Sequence, residues 1–145
     1  MIIVDTNVIA YLYLPTSYTP AAEKLLIQEP VWGAPYLWRS ELRNVIALYL
    51  RKKMLSFDQA IQIQTEAELL MLEKEFEVNS SDLLSLVKDS TCSAYDCEFV
   101  ALAKNLNATL VTIDNKILSE FPSTAKSIEQ FLQESQPGQA GTKKV

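Results

Sequence analysis

Four acidic residues stand at points of this sequence where a carboxylate can do chemistry. Asp5 ends the apolar run Met1-Ile2-Ile3-Val4, and Asp114 ends the β-branched run from Thr109 to Ile113. Asp96 lies in Ser93-Ala94-Tyr95-Asp96. Glu41 shares the spacing i, i+4, i+8 and i+11 with Leu37, Val45 and Leu48, which puts it on an apolar helical stripe. An unpaired carboxylate buried on such a stripe is costly, so Glu41 must meet a partner or rim a cavity. Four carboxylates gathered in one pocket would repel one another. A hard divalent cation removes that repulsion, and Mg²⁺ or Mn²⁺ prefers oxygen ligands with retained waters. The chain contains no His, so an imidazole general base is excluded.

Each acid also has a purely structural explanation. Asp5 and Asp114 are good helix N-caps or turn residues, and Ser93 with Asp96 matches a capping box. Glu41 has Arg39, Arg43 or a distant Lys as ion-pair candidates. The joint pattern is what favours a common site.

The elements that must position these residues alternate along the chain. The patterning predicts a strand over 1–4, helices over 6–14 and 20–28, a short strand over 31–34 and a helix over 36–53. A long amphipathic helix is expected over 58–76, then a short helix capped by Ser80-Ser81-Asp82 and running to about 88. The spacing of Tyr95, Phe99, Leu102 and Leu106 predicts a helix over 94–105, followed by a strand over 109–113. A small strand near 125–127 and a helix over 128–134 complete the pattern. Strands separated by helices imply crossover connections, hence a mostly parallel central sheet covered by helices on both faces. In such sheets ligands bind at the carboxyl ends of the strands, where Asp5 and Asp114 both lie and where the helix carrying Asp96 begins.

Composition sets outer limits. A chain of 145 residues with 48% apolar and 21% charged residues reads as one globular domain. Residues 1–134 are expected to form it, with 135–145 (SQPGQAGTKKV) as a disordered tail. No segment resembles a signal peptide or a membrane span, and the two cysteines, Cys92 and Cys97, fit a reduced cytoplasmic protein. The net charge of −5 argues at first against a nucleic-acid partner. Yet five of thirteen basic residues fall between Arg39 and Lys53, and setting aside the four site acids leaves 14 acidic residues against 13 basic ones. The acidity is concentrated where cations would sit.

The stretches MIIVDTNVIAYLY, SELRNVIA and SAYDCEFVALAKNLNATLVTIDNKI together resemble the PIN-domain ribonucleases, and among them the VapC-type toxins of toxin–antitoxin pairs. The resemblance spans residues 1 to about 132 and implies a three-layer α/β/α sandwich. It assigns the family's acidic set to Asp5, Glu41, Asp96 and Asp114, with Thr6, Asn7 and Thr112 as supporting polar residues. Asn115 and Lys116 fall where family members vary. The implied activity is hydrolysis of RNA phosphodiester bonds with one or two Mg²⁺ or Mn²⁺ ions held by Asp5, Asp96 and Asp114, Glu41 serving as a further ligand or as an orienter of water. Arg39 and Arg43 flank Glu41, so RNA phosphate contacts are expected of one or both, with ion-paired surface arginines as the alternative. Leu69, Leu70 and Leu72 are expected in the core, with a dimer or antitoxin groove as the alternative; a small antitoxin protein lying across this region and a homodimer are implied by the resemblance.

Two rival classes remain. A haloacid-dehalogenase-type phosphatase needs a second Asp where this chain has Asn7, and a receiver domain needs an acid pair near the first strand and a late Lys; neither fits. A non-catalytic PIN-like scaffold binding RNA or protein is the other, and the four intact acids argue against it.

Overall fold

The run Ile2-Ile3-Val4 is buried on both faces because it is the middle strand, β1 (Ile2–Val4), of a five-stranded sheet in a computed structural model that describes residues 1–135. The expected tail therefore lies outside the described residues except for Ser135. From β1 the chain passes through α1 (Thr6–Tyr13) and α2 (Thr19–Gln28) to β2 (Trp32–Pro35), then α3 (Leu37–Arg51) and α4 (Phe57–Leu70) to β3 (Glu75–Phe76). It continues as α5 (Ser80–Lys88), α6 (Ala94–Asn105), β4 (Leu110–Val111), α7 (Asn115–Glu120), β5 (Ala125–Lys126) and α8 (Ile128–Glu134).

The strand order is β3-β2-β1-β4-β5, and every pairing is parallel. Helix α6 lies across β1, β2 and β4 with α5 packed against it, while α1 packs with α2, α3 and α4, and α2 reaches α8. The result is the three-layer α/β/α architecture. Because the chain leaves β1 toward β2 on one side and returns to β4 on the other, the order reverses beside β1, the place where such sheets open a crevice.

Three sequence expectations are corrected. The helix expected over 58–76 ends at Leu70, and Glu75 and Phe76 form a parallel edge strand on Ala34 and Pro35. Glu73 takes a positive φ of 66°, which turns the chain out of the helix. Backbone bonds from Ala34 N–H to Lys74 O (3.1 Å) and from Tyr36 N–H to Phe76 O (3.2 Å) then hold the new strand. As a consequence Leu69 and Leu72 are exposed rather than core, whereas Leu70 packs against the core.

The buried face of α3 is Trp38, Leu42 and Ile46, one residue round from the predicted stripe; Leu48 is exposed. In α6 Phe99 and Leu102 are buried as expected, but Tyr95 and Leu106 are exposed. The helix is buried instead through its small residues Cys97, Val100, Ala101 and Ala103, which let it approach the sheet.

Candidate active site

Asp5 leaves β1 at the reversal point, its backbone N–H bound to Val111 O at 3.0 Å. Its carboxylate is only 7% exposed and caps α1, with Oδ1 accepting from Thr6 N–H at 2.8 Å. Oδ2 accepts from the Thr112 hydroxyl at 2.7 Å. That hydroxyl in turn accepts from Asp114 N–H at 3.0 Å, and Asp114 Oδ1 caps α7 by accepting from the Lys116 and Ile117 amides. On the other side the Thr6 hydroxyl donates to Glu41 Oε1 at 2.7 Å. Two threonines thus link Glu41, Asp5 and Asp114 into one chain of polar contacts drawn from α3, β1 and β4.

Asp96 completes the set from α6. Ser93 caps that helix by accepting from Asp96 N–H at 3.1 Å. The reciprocal half of a capping box, present at Ser56 with Gln59 and at Ser127 with Gln130, is absent here. The Asp96 carboxylate is therefore not committed to closing its own helix. Asp5, Glu41, Asp96 and Asp114 all line one cavity of about 480 Å³, together with Thr6, Asn7 and residues of α3. The structural roles proposed by the sequence hold for Asp5 and Asp114, which cap helices and line the cavity at once.

Mutual proximity shows in the proton affinities. Burial pushes Asp5 up to about 6, against the opposing hydrogen bonds of Thr112 and Thr6, and the charges of Glu41 and Asp96 push the same way. Glu41 is raised by burial first, then by Asp96 and Glu98, with the Thr6 hydroxyl opposing. Asp96 is raised by burial and by Asp114, with Ser93 and Lys116 opposing. Three carboxyls of one cavity are thus held above the usual carboxylate range, by burial first and by neighbouring acids second.

The donor set fits a hard divalent cation. It is all oxygen, and Asn7, another lining residue, carries a buried Oδ1 with no hydrogen-bond partner among the described residues. Among the described residues, however, no three acidic, His or Cys side chains already converge on a point that would hold an ion. The cavity would accommodate an ion with part of its water shell, or after small side-chain movements.

The arginines lie outside this cavity. Arg39 does not line the cavity; its guanidinium is held by Glu75, through Nε and Nη2, and by Glu68 at 3.1 Å. Glu75 also accepts from Trp38 Nε1 at 2.8 Å, which ties β3 to α3. Arg43 is likewise outside the cavity, 3.9 Å from Glu68. Both arginines stand within ion-pair distance of an acid, as the ion-paired alternative expects.

Sequence reading missed Ser40, Asn44 and Tyr95 as lining residues. The signal for the first two was present: Leu37, Ser40, Glu41, Asn44 and Val45 are spaced i, i+3, i+4, i+7 and i+8, one continuous helix face. It also missed a latch on the far end of α7. Glu120 accepts from the Thr91 amide at 3.0 Å, the Thr91 hydroxyl at 2.8 Å and the Cys92 thiol at 3.3 Å, and Lys116 Nζ donates to Thr91 O at 3.2 Å. Helix α7 therefore carries Asp114 at its start and grips, at its end, the loop that leads to Asp96. No local sequence pattern announces that contact.

Residues 2–123 match the PIN domain family. A ribonuclease of Pyrobaculum aerophilum, VapC3, is 28% identical over 127 residues, covering 84% of this chain and 95% of that one. Among solved structures, PAE2754 from Pyrobaculum aerophilum superposes with a TM-score of 0.72 at 16% identity, over 92% of this chain and 87% of its own. A toxin–antitoxin complex from Klebsiella pneumoniae gives 0.67 at 14%, over 88% and 98%.

Proposed function

The chain belongs to the PIN-domain family, and from that premise we propose that it is a metal-dependent endoribonuclease, the toxin of a toxin–antitoxin pair, with residues 1–134 as its nuclease domain. The observation that carries the reading is the meeting of Asp5, Glu41, Asp96 and Asp114, from four separate elements, in one cavity at the strand ends. The similarity to a ribonuclease and to a toxin–antitoxin complex supports it.

In this reading Asp5, Asp96 and Asp114 hold Mg²⁺ or Mn²⁺, with Glu41 as a further ligand and Asn7 as a neutral oxygen donor. When bound, the ion acidifies a water and offsets the charge that grows on the phosphate during in-line attack. The remaining work belongs to the chain. Thr112 and Thr6 fix the Asp5 carboxylate by both oxygens, so it needs no reorientation. Thr6 occupies Glu41 Oε1, leaving Oε2 either to bind the ion or to orient the attacking water. RNA is the substrate, a small antitoxin and a second copy of the chain are the protein partners, and the site of action is the cytoplasm.

One observation favours a second reading, a non-catalytic PIN scaffold: no three acids converge into a ready cage among the described residues. The decisive assay is cleavage of RNA oligonucleotides or tRNA by the purified protein with Mn²⁺. Cleavage abolished by chelator and by Asp5→Asn or Asp96→Asn is expected. No cleavage, with wild type and Asp96→Asn binding RNA equally, sinks the enzyme reading in favour of the scaffold.

A further inference from the structure

The cavity has a second chemical character beside its acids. Among the described residues, none that lines it is Lys or Arg. Nearby basic residues are already engaged, Lys116 by Thr91 O, Arg39 by Glu75 and Glu68, and Arg43 beside Glu68. Among the described residues the cavity wall itself offers RNA carboxylates, with Lys116 at its edge as the nearby side-chain cation, so phosphate neutralisation by the protein is sparse at this place.

Tyr95 offers another. It precedes Asp96 in the first turn of α6, lines the same cavity, and is 64% exposed. Among the described residues its ring has no aromatic partner and its hydroxyl no hydrogen bond. The α3 wall of the cavity contributes the apolar side chains of Leu37 and Val45, both half-buried. An exposed ring and an aliphatic wall within one cavity match the flat apolar faces of a nucleobase, and stacking on an aromatic ring binds any base without reading its edge.

We propose that Tyr95 is the stacking face for one unpaired RNA base held against Leu37 and Val45, which places the adjoining phosphodiester over Asp5, Asp96 and Asp114. Such a base must be unstacked from its neighbours, because in a duplex both faces of each base are covered. The inference rests on the reading of the cavity as an RNA site, and it stands whether or not that site cuts.

The test uses the full chain with Mg²⁺ and a single-stranded RNA oligonucleotide carrying 2-aminopurine at successive positions, with the integrity of the RNA followed on gels. The expected result is quenching of the probe at a defined position by wild type, Tyr95→Phe and Tyr95→Trp. Tyr95→Ala should lose that quenching and bind weaker by about tenfold, the size expected for one stacked base. The same RNA annealed to its complement should bind poorly, and the salt dependence of single-strand binding should be shallow. Equal binding by wild type and Tyr95→Ala overturns the proposal, as does equal binding of duplex, or a loss in Tyr95→Phe as large as in Tyr95→Ala. Should Tyr95→Ala fail to fold, the wild-type position scan decides, and no quenching at any position overturns it. Quenching without cleavage leaves stacking standing and removes the nuclease reading; cleavage that ignores Tyr95 does the reverse.

Discussion

The Thr112 hydroxyl donates to Asp5 Oδ2 at 2.7 Å across 107 residues of sequence, with both side chains buried. It also accepts from Asp114 N–H, so one hydroxyl sets the spacing between two site acids. Thr112→Val keeps the shape and removes the bridge. Folding stability should fall by about 1–3 kcal/mol, since a buried carboxylate oxygen and an amide lose their partner. Mn²⁺ affinity should fall on the order of tenfold or more, as for other groups that orient ligands. Calorimetric titration with Mn²⁺ and urea unfolding check the two; unchanged Mn²⁺ affinity would mean that Thr112 does not orient the site.

Asp5 carries a pH signature. Its carboxyl titrates near 6 when folded against an ordinary 3.8, so between those values the folded state binds more protons than the unfolded one. Stability in chelator should therefore rise as pH falls from 7 through 6 toward 4, by up to about 3 kcal/mol from this group alone. Urea unfolding at several pH values reads it, and Asp5→Asn should flatten the curve. With Mn²⁺ present that rise should flatten, because the ion keeps Asp5 ionised, and the increment in stability that Mn²⁺ adds should shrink below about pH 6 as protons compete with it.

Asp96 separates site from cap. Without metal, Asp96→Asn relieves repulsion with Asp114 and should leave the melting temperature unchanged or raised, while Mn²⁺ should stabilise wild type more than the variant through ligand linkage. A large loss of stability in Asp96→Asn, with neither protein responding to Mn²⁺, would instead make Asp96 a structural helix-start residue.

Glu120 is the long-range hold on Asp96. Glu120→Ala releases the Thr91 and Cys92 loop, so Mn²⁺ affinity should weaken on the order of tenfold while the helix content measured by circular dichroism stays constant. Partial recovery in Glu120→Gln, which keeps an acceptor, distinguishes positioning from general damage. An Ala variant that binds Mn²⁺ like wild type would remove the latch from the account of the site.

Arg39 is assigned to the fold. Arg39→Met strands the Glu75 carboxylate, whose side chain is 7% exposed, and should lower stability by about 1–3 kcal/mol through loosening of β3. RNA binding per folded molecule, measured by fluorescence anisotropy, should not change. A selective loss of RNA affinity at unchanged stability would restore the phosphate-contact role.

By itself the sequence determined the alternation of strands and helices, the buried central strand and the identity of the four acids that share the cavity. These are local properties: runs of β-branched residues, helical spacing and carboxylates at strand ends all act over a few neighbours in the chain. What only the tertiary structure decided depends on pairings between distant segments. Glu75 and Phe76 continue a helical pattern in sequence but become a strand because the edge of β2 and the guanidinium of Arg39 are there to receive them. That same pairing holds Arg39 outside the cavity. The helical spacing of α6 suits Tyr95 to the core, yet the small residues that draw the helix onto the sheet leave Tyr95 facing solvent beside the acids. Thr6 meeting Glu41 and Glu120 meeting Thr91 are likewise contacts across 35 and 29 residues, set by how the helices pack and by nothing in their neighbours.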